Sequence, residues 1–474
     1  MDVWYSIAAV IAPLLALIAS GHAVLTKRDS RSALAWVALL WLVPVIGAVL
    51  YLLFGINRIN RRASALRRKA LESFERVYEC DLDTLRTLLG AESQNLEDLA
   101  RATNRIIVRP LVQGNRVEPL ADGDEAYPAM LHAIEQAEYT VTLATYIFGN
   151  DQVGHAFADA LQRAVERGVE VRVLIDNAGE RYTWPSMVGD LRRRGVPVAR
   201  FFPGFPVRLV GINLRNHRKL LVVDGSVGFT GGMNIRRHHR RDARRRATRD
   251  IHFRLQGPVV RHLQEVFYED WLFAAAEPLE GPDWFPELAP VGNAVARGVP
   301  DGPDDNFLIH QMTLQVAVTT ARESIRVVTP YFLPEAPLIA ALNTASIRGV
   351  AVDIVLPEHS NLPFVHWATM GQIRQVLTYD CRVWLTPRPF DHSKLMVVDD
   401  SWSFVGSSNW DPRSLRLNFE FNVECFDRTL AQDLSARVDA RIRHARPLTA
   451  GDIEARALPI RLRDGVARLM TPYL

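Results

Sequence analysis

The 474-residue chain predicts an α/β fold: two pseudo-twofold-related α/β domains behind an N-terminal pair of transmembrane helices. Three observations carry that expectation. Two long uncharged apolar runs open the chain, strand and helix patterns alternate from residue 106 onward, and those patterns recur about 180 residues later. The expected organisation is two spanning helices in residues 1–57, a basic helical linker in 58–105, a first α/β domain in 106–290 and a second in 300–474.

The apolar runs cover residues 3–26 and 32–57, each longer than the roughly 20 residues a spanning helix needs. The first is not a cleavable signal peptide: the residues before it hold Asp2 and no Lys or Arg, and a second run follows at once. Trp4, Tyr5, Trp36 and Tyr51 sit near the ends of the runs, where interfacial aromatics belong. Arg58, Arg61, Arg62, Arg67, Arg68, Lys69 and Arg76 follow the second run, against Lys27, Arg28 and Arg31 between the runs. The larger cluster puts the bulk of the chain in the cytoplasm, at an anionic lipid surface. A shallow hairpin that does not fully cross is the alternative.

Leu71, Phe74, Val77 and Tyr78, then Leu85, Leu88 and Leu89, stand at helical spacing, so the linker reads as helical. Beyond it, residues 139–148 read as a buried strand, 156–167 as an amphipathic helix and 169–175 as a second strand. Residues 324–332 repeat the first strand, with Tyr331 lying 185 residues after Tyr146. Arg348, Gly349 and Val350 repeat Arg167, Gly168 and Val169 at an offset of 181.

A third match is the most specific. His217-Arg218-Lys219 is followed by LLVV, Asp224, six residues, and then Gly231, Gly232 and Asn234. His392-Ser393-Lys394 is followed by LMVV, Asp399, six residues, and then Gly406, Ser407 and Asn409. The offset is 175. With 13 His and only four Lys (Lys27, Lys69, Lys219 and Lys394) among 56 basic residues, composition predicts far fewer than one such motif. Half of the lysines fall in the two motifs, in a chain that otherwise uses Arg for its cations.

These two motifs identify the chain as resembling the phospholipase D superfamily, from about residue 110 to the C-terminus. The paired apolar runs and the tail NWDPRSLRLNFEFNVE after Ser408 make it most similar to the bacterial cardiolipin synthases. The resemblance implies phosphatidyl transfer between two phosphatidylglycerol molecules, giving cardiolipin and glycerol through a phosphatidyl-histidine intermediate. It makes His217 the nucleophile and His392 the general acid, with Asp250 and Glu420 at positions where the superfamily keeps an acid. It implies no cofactor and no metal. A hydrolytic membrane-bound phospholipase D and a tethered nuclease of the same superfamily remain alternatives. The acceptor stays open among phosphatidylglycerol, phosphatidylethanolamine and water.

The residues support that chemistry on their own terms. On a strand, His and Lys at i and i+2 face the same side, and the apolar tetrapeptide that follows anchors the strand in a core. Two halves about a pseudo-twofold bring His217, Lys219 and Asn234 together with His392, Lys394 and Asn409. A neutral imidazole attacks phosphorus and a protonated one supplies the leaving alkoxide. Each His needs a carboxylate behind it to hold its tautomer, and Asp250 and Glu420 are the candidates. Asp224 and Asp399 complete the motifs but look structural, tying strand-end turns to nearby donors. Lys is a compact point charge beside phosphate, so Arg is no substitute there.

Residues 236–249 hold eight Arg, His238, His239 and one acid, Asp242. Beside the first motif they read as a clamp for anionic headgroups, with a solvated, mobile loop as the alternative. The net charge of +3, with no aromatics interleaved among the basic residues, does not point to nucleic acid. Cys80, Cys381 and Cys425 form no zinc pattern and suit a reducing compartment. Leu458, Leu462, Val466, Leu469 and Met470 mark a final amphipathic helix that either lies on a bilayer or packs into a core.

Overall fold

The computed structural model describes residues 2–27, 30–55, 79–90, 94–201, 214–303 and 308–471. The chain divides into an N-terminal unit and a large α/β unit.

The N-terminal unit contains α1 (Asp2–Thr26), α2 (Ser30–Leu42), α3 (Pro44–Leu50) and a π turn at Tyr51–Gly55. The run at residues 32–57, expected as one spanning helix, is therefore divided. Pro44 has no N–H to donate and disfavours helical backbone in the residue before it. Val43 accordingly leaves the helix at φ −139° and ψ 75°. Among the described residues no helix is long and apolar enough to cross a membrane. The unit buries Ala16, Ala23, Trp36, Leu40, Ala48 and Tyr51, mostly small or ring-bearing side chains, while Leu17, Ile18, Val24, Leu25 and Leu42 are exposed. The His22 ring is hydrogen-bonded to the Tyr51 hydroxyl at 2.7 Å. Arg28, the basic cluster from Arg58 to Arg76, and the pattern Leu71, Phe74, Val77 and Tyr78 lie outside the described residues.

The rest of the expected linker is folded. α4 (Leu82–Leu89) starts at Asp81, whose carboxylate accepts from Thr84 N at 2.7 Å, and α5 (Gln94–Thr103) follows. Leu85, Leu96, Leu99 and Ala100 join the core of the second half, with Leu314 and Trp402. An apolar stripe this complete has to be covered, and that half covers it.

The first half contributes β1 (Val112–Ala121), β2 (Thr140–Thr145), β3 (Glu170–Asp176), β4 (Val198–Phe201), β5 (Arg215–Asn216), β6 (Leu220–Val223), β7 (Val227–Gly231), β8 (Thr248–Arg249) and β9 (Ile251–Gln256). Its helices include α6 (Gln152–Glu166) and α7 (Val260–Ala275). The apolar pattern alone starts α6 at residue 156. The helix begins earlier because the Asp151 carboxylate accepts from Val153 N and Gly154 N, satisfying its first free amides.

The second half contributes β10 (Ala294–Asp301), β11 (Ser324–Val328), β12 (Ala351–Pro357), β13 (Arg382–Thr386), β14 (Phe390–Asp391), β15 (Leu395–Val398), β16 (Trp402–Gly406), β17 (Asn418–Phe426) and β18 (Arg446–Leu448). Among its helices are α8 (Pro363–Gln372) and the final α9 (Leu458–Leu469).

The main strand order is β18-β13-β12-β11-β15-β16-β17-β10-β1-β9-β7-β6-β2-β3-β4. Read outward from the antiparallel β10/β1 pair, each side gives the same sequence of equivalents over seven strands, β18 being the one addition, so the pseudo-twofold passes between those two strands. β2 and β3 pair in parallel, as do β11 and β12, and the tetrapeptides LLVV and LMVV form β6 and β15, buried throughout. The sheet is continuous across both halves.

Candidate active site

Two short ladders build the site. β5 pairs in parallel with the start of β17, Asn216 opposite Phe419, and β14 pairs in parallel with β8, Asp391 opposite Arg249. Just past each ladder a histidine amide continues the pattern: His217 N donates to Phe419 O at 2.9 Å and His392 N to Arg249 O at 2.8 Å. The next residue on each partner strand is an acid. His217 Nδ1 therefore meets Glu420 at 2.9 and 3.0 Å, and His392 Nδ1 meets Asp250 Oδ2 at 2.9 Å. Each histidine takes its carboxylate from the other half of the chain. Spacing in sequence, which sets Asp250 behind His217 and Glu420 behind His392, pairs them the opposite way.

Both rings keep 12% and 13% of their surface exposed, and both border one cleft of about 910 Å³. With Nδ1 committed to a carboxylate, Nε2 is the atom left to face substrate. Asn234 and Asn409 line the same cleft. Asn234 Oδ1 accepts from Ile147 N at 3.1 Å and Asn409 Nδ2 donates to Ser414 Oγ at 3.2 Å, while Asn409 Oδ1 is buried without a hydrogen-bond partner among the described residues.

Lys219 and Lys394 are buried at 2% and 5% exposure. Each ammonium folds back on its own motif, donating at 2.6 Å to the carbonyl of His217 or His392. Burial pulls Lys219 down to about 7 and Lys394 down to about 8, despite the opposing pull of the two site carboxylates.

The two acids differ in character. Burial pushes Glu420 up, but His217, Lys219 and Ser407 outweigh it and hold the carboxylate at about 2. Ser407 Oγ, Ser414 Oγ and Asn418 Nδ2 donate to it at 2.5, 2.9 and 3.0 Å. Asp250 has the Ile251 amide at 2.9 Å and Asp391 nearby. Burial and that second acid raise it well above the ordinary carboxylate range, against the pull of Lys394. Burial also lowers the imidazoles of His217 and His392, with Glu420 opposing the shift at His217 and Lys394 adding to it at His392.

Asp224 and Asp399 stay out of the cleft. Each sits at a left-handed turn, φ +48° and +50°, a conformation Asp tolerates better than most residues. Asp224 accepts from the amides of Glu138, Tyr139 and Thr140 at 2.8 to 3.0 Å, and Asp399 from those of Arg322, Glu323 and Ser324 at 2.8 to 2.9 Å. Asn95 on α5 adds a 2.7 Å bond to Asp399. Their work is to join strand ends, as their sequence position suggests.

Several cleft residues were not legible as site residues. Tyr146 and Tyr331 marked the repeat; here each ring stands edge-on to a histidine, at 5.2 Å from His217 and 6.4 Å from His392. His239 adds a buried imidazole to the cleft lining. It accepts from Asn234 N at 3.3 Å, and its ring lies 6.1 Å from His392. Burial and neighbouring cations lower it well below the usual histidine range. Asp411 lines the cleft and is raised to about 6 by burial. The basic stretch is ordered at its start, where Arg237 N and Arg241 N bind the carboxylates of Asp151 and Asp124 at 2.8 Å. Arg236 and His238 border the cleft.

Comparison with known proteins extends this picture. Residues 130–271 and 314–442 match the family described as cardiolipin synthase, PLD-like domain, and residues 14–55 match the phospholipase D-nuclease N-terminal family. The chain is 34% identical over 465 residues to the major cardiolipin synthase ClsA of Bacillus subtilis, covering 94% of this chain and 95% of that one. It is 31% identical over 460 residues to a cardiolipin synthase of Oceanobacillus iheyensis, covering 95% of each. The crystal structure of phosphatidylserine synthase from Haemophilus influenzae superposes with a TM-score of 0.61 at 15% identity, over 79% of this chain and all of that one, a likeness of fold.

Proposed function

The chain belongs to the phospholipase D-type cardiolipin synthases, a family of phosphatidyltransferases, and from that membership we propose the course of its reaction. His217 Nε2 attacks the phosphorus of one phosphatidylglycerol. The P–O bond to the glycerol headgroup breaks as His392 gives its Nε2 proton to the departing oxygen, leaving a phosphatidyl-His217 adduct and free glycerol. A second phosphatidylglycerol then presents a headgroup hydroxyl. His392 takes the hydroxyl proton, the new P–O bond forms, the P–N bond breaks, and cardiolipin leaves.

The observation that carries this reading is the crossed pairing of His217 with Glu420 and His392 with Asp250 around one cleft. The unequal acids support the division of roles. Glu420, firmly ionised, orients a neutral His217 and stabilises the positive charge that ring gains as the P–N bond forms. Asp250, pushed upward, shares one proton with His392, so this pair holds the proton that leaves with glycerol. Lys219, Lys394 and the amides of Asn234 and Asn409 supply positive charge and donors to the phosphoryl oxygens as charge builds there. Arg236 and His238 suit a headgroup-holding role for the basic stretch.

The N-terminal unit serves as a membrane anchor: its exposed leucines, isoleucine and valine and its buried small residues are the inside-out pattern of packed helices in lipid. The basic residues after it place the α/β unit on the cytoplasmic side of the bacterial inner membrane. Purified protein incubated with phosphatidylglycerol vesicles should release glycerol and form cardiolipin. Phosphatidic acid as the sole lipid product would overturn the transfer reaction, and full turnover by a His217→Asn variant would overturn the nucleophile assignment.

A further inference from the structure

The final helix α9 wears its apolar side chains on the outside. Asp464 and Ala467 face inward against α8, where a Cβ on Gly371 would meet the Asp464 carbonyl at 2.5 Å. Asp464 is paired with Arg456 at 3.0 Å and Arg463 at 2.8 Å, and the Arg463 guanidinium lies 4.4 Å from the Trp367 ring centroid. Close backbone approach and ion pairs thus fix the helix, with no apolar stripe turned to the core. Opposite that face, Leu458, Leu462, Val466 and Leu469 are 65%, 61%, 60% and 73% exposed. Helical geometry gathers these four within an arc of about 80°, diametrically across from Asp464 and Ala467. Arg461 and Arg468 border the stripe on one side and Arg463 on the other, all three exposed.

The surface continues toward the cleft. The Trp367 ring lies 5.8 Å from that of Phe364 on α8, tilted by 51°; Phe364 and Leu362 are exposed, and Leu362 with Val365 lines the cleft. We propose that α9 and the N-terminal end of α8 form a docking surface for a bilayer containing anionic phospholipid, setting the mouth of the cleft at headgroup level. Charge decides the occupant. The only acid in α9 is turned inward and paired, so the outer face offers apolar side chains between arginines, matching acyl chains beneath phosphates. A second copy docking through the same face would set arginines against arginines. The proposal does not depend on which residue is the nucleophile.

The test uses the full chain in vesicles of phosphatidylglycerol and phosphatidylcholine. Cys80, Cys381 and Cys425 are buried, so an environment-sensitive fluorophore goes selectively onto Val466→Cys or, as reference, Glu166→Cys at the exposed C-terminal end of α6. The label at 466 should be quenched by nitroxides carried on the lipid chains and the label at 166 should not. A label at 466 that stays accessible to water, or one shielded without quenching, as a second copy would shield it, overturns the proposal. So does equal quenching at both positions. In a second arm, Leu462→Asp with Val466→Asp should cut turnover on vesicles roughly tenfold while sparing turnover on monomeric short-chain phosphatidylglycerol; equal loss on both substrates overturns it.

Discussion

Glu420→Gln isolates the crossed pairing. The substitution keeps the shape of a side chain with no solvent exposure and removes its charge. Glu420 stands 2.9 Å from His217 Nδ1, and in the proposed first step that ring becomes positive as the P–N bond forms. Two unit charges about 4 Å apart at an effective dielectric of about 20 interact by about 4 kcal/mol. Losing that from the transition state slows adduct formation roughly a thousandfold. The fold should survive, because Ser407 and Ser414 hydroxyls can rotate to accept from the new amide. Rapid-quench measurement with labelled phosphatidylglycerol follows both the lipid bound to protein and the release of glycerol. Glu420→Gln should form the adduct slowly. Asp250→Asn, acting through His392, should impair both glycerol departure and activation of the acceptor. Adduct formation at the unmodified rate in Glu420→Gln, with melting unchanged, would refute the assignment of Glu420 to His217 as nucleophile.

Other outcomes follow from the same geometry. Lys219→Arg and Lys394→Arg should each lose more than about a hundredfold in kcat with unchanged circular dichroism, because a planar fork does not reproduce a compact buried ammonium folded back 2.6 Å from its own motif's histidine carbonyl. Lys219 and Lys394 are depressed from 10.5 to about 7 and about 8, so their charge is present below those values and lost as pH rises through them. kcat/KM should therefore fall on the alkaline side with a break near 7 to 8, and the break in kcat should lie higher, because bound phosphate favours the ammonium. Gly232→Ala should cost roughly a hundredfold in turnover, since its Cβ would lie 2.5 Å from both carboxylate oxygens of Asp250. Asp399→Ala should lower Tm with kcat nearly intact, because it strips four donors of their acceptor, a loss of about 3 kcal/mol.

The chemistry was legible in the chain because it is carried by residue types at short spacing. His-x-Lys on a strand faces one way whatever the surroundings, and a tetrapeptide such as LLVV anchors that strand wherever the core lies, so the motifs, the repeat and the alternation of strands with helices could be read directly. The same is true of Asp224 and Asp399, whose place at a strand end implies a turn. Contacts between residues far apart in sequence were not legible. The pairing of His217 with Glu420 spans 203 positions and that of His392 with Asp250 spans 142; each exists because β5 and β14 add to strands of the opposite half, in a sheet whose two halves join at β1 and β10. The second half covers α4 and α5, which read as a tether, because their apolar stripe has no other place to go. His239 entered the cleft from a stretch whose composition speaks only of charge. Sequence determined which groups the proposed reaction uses, through local periodicity; tertiary structure decided which acid stands behind which histidine, because hydrogen-bond partners are set by proximity across the sheet and not by order along the chain.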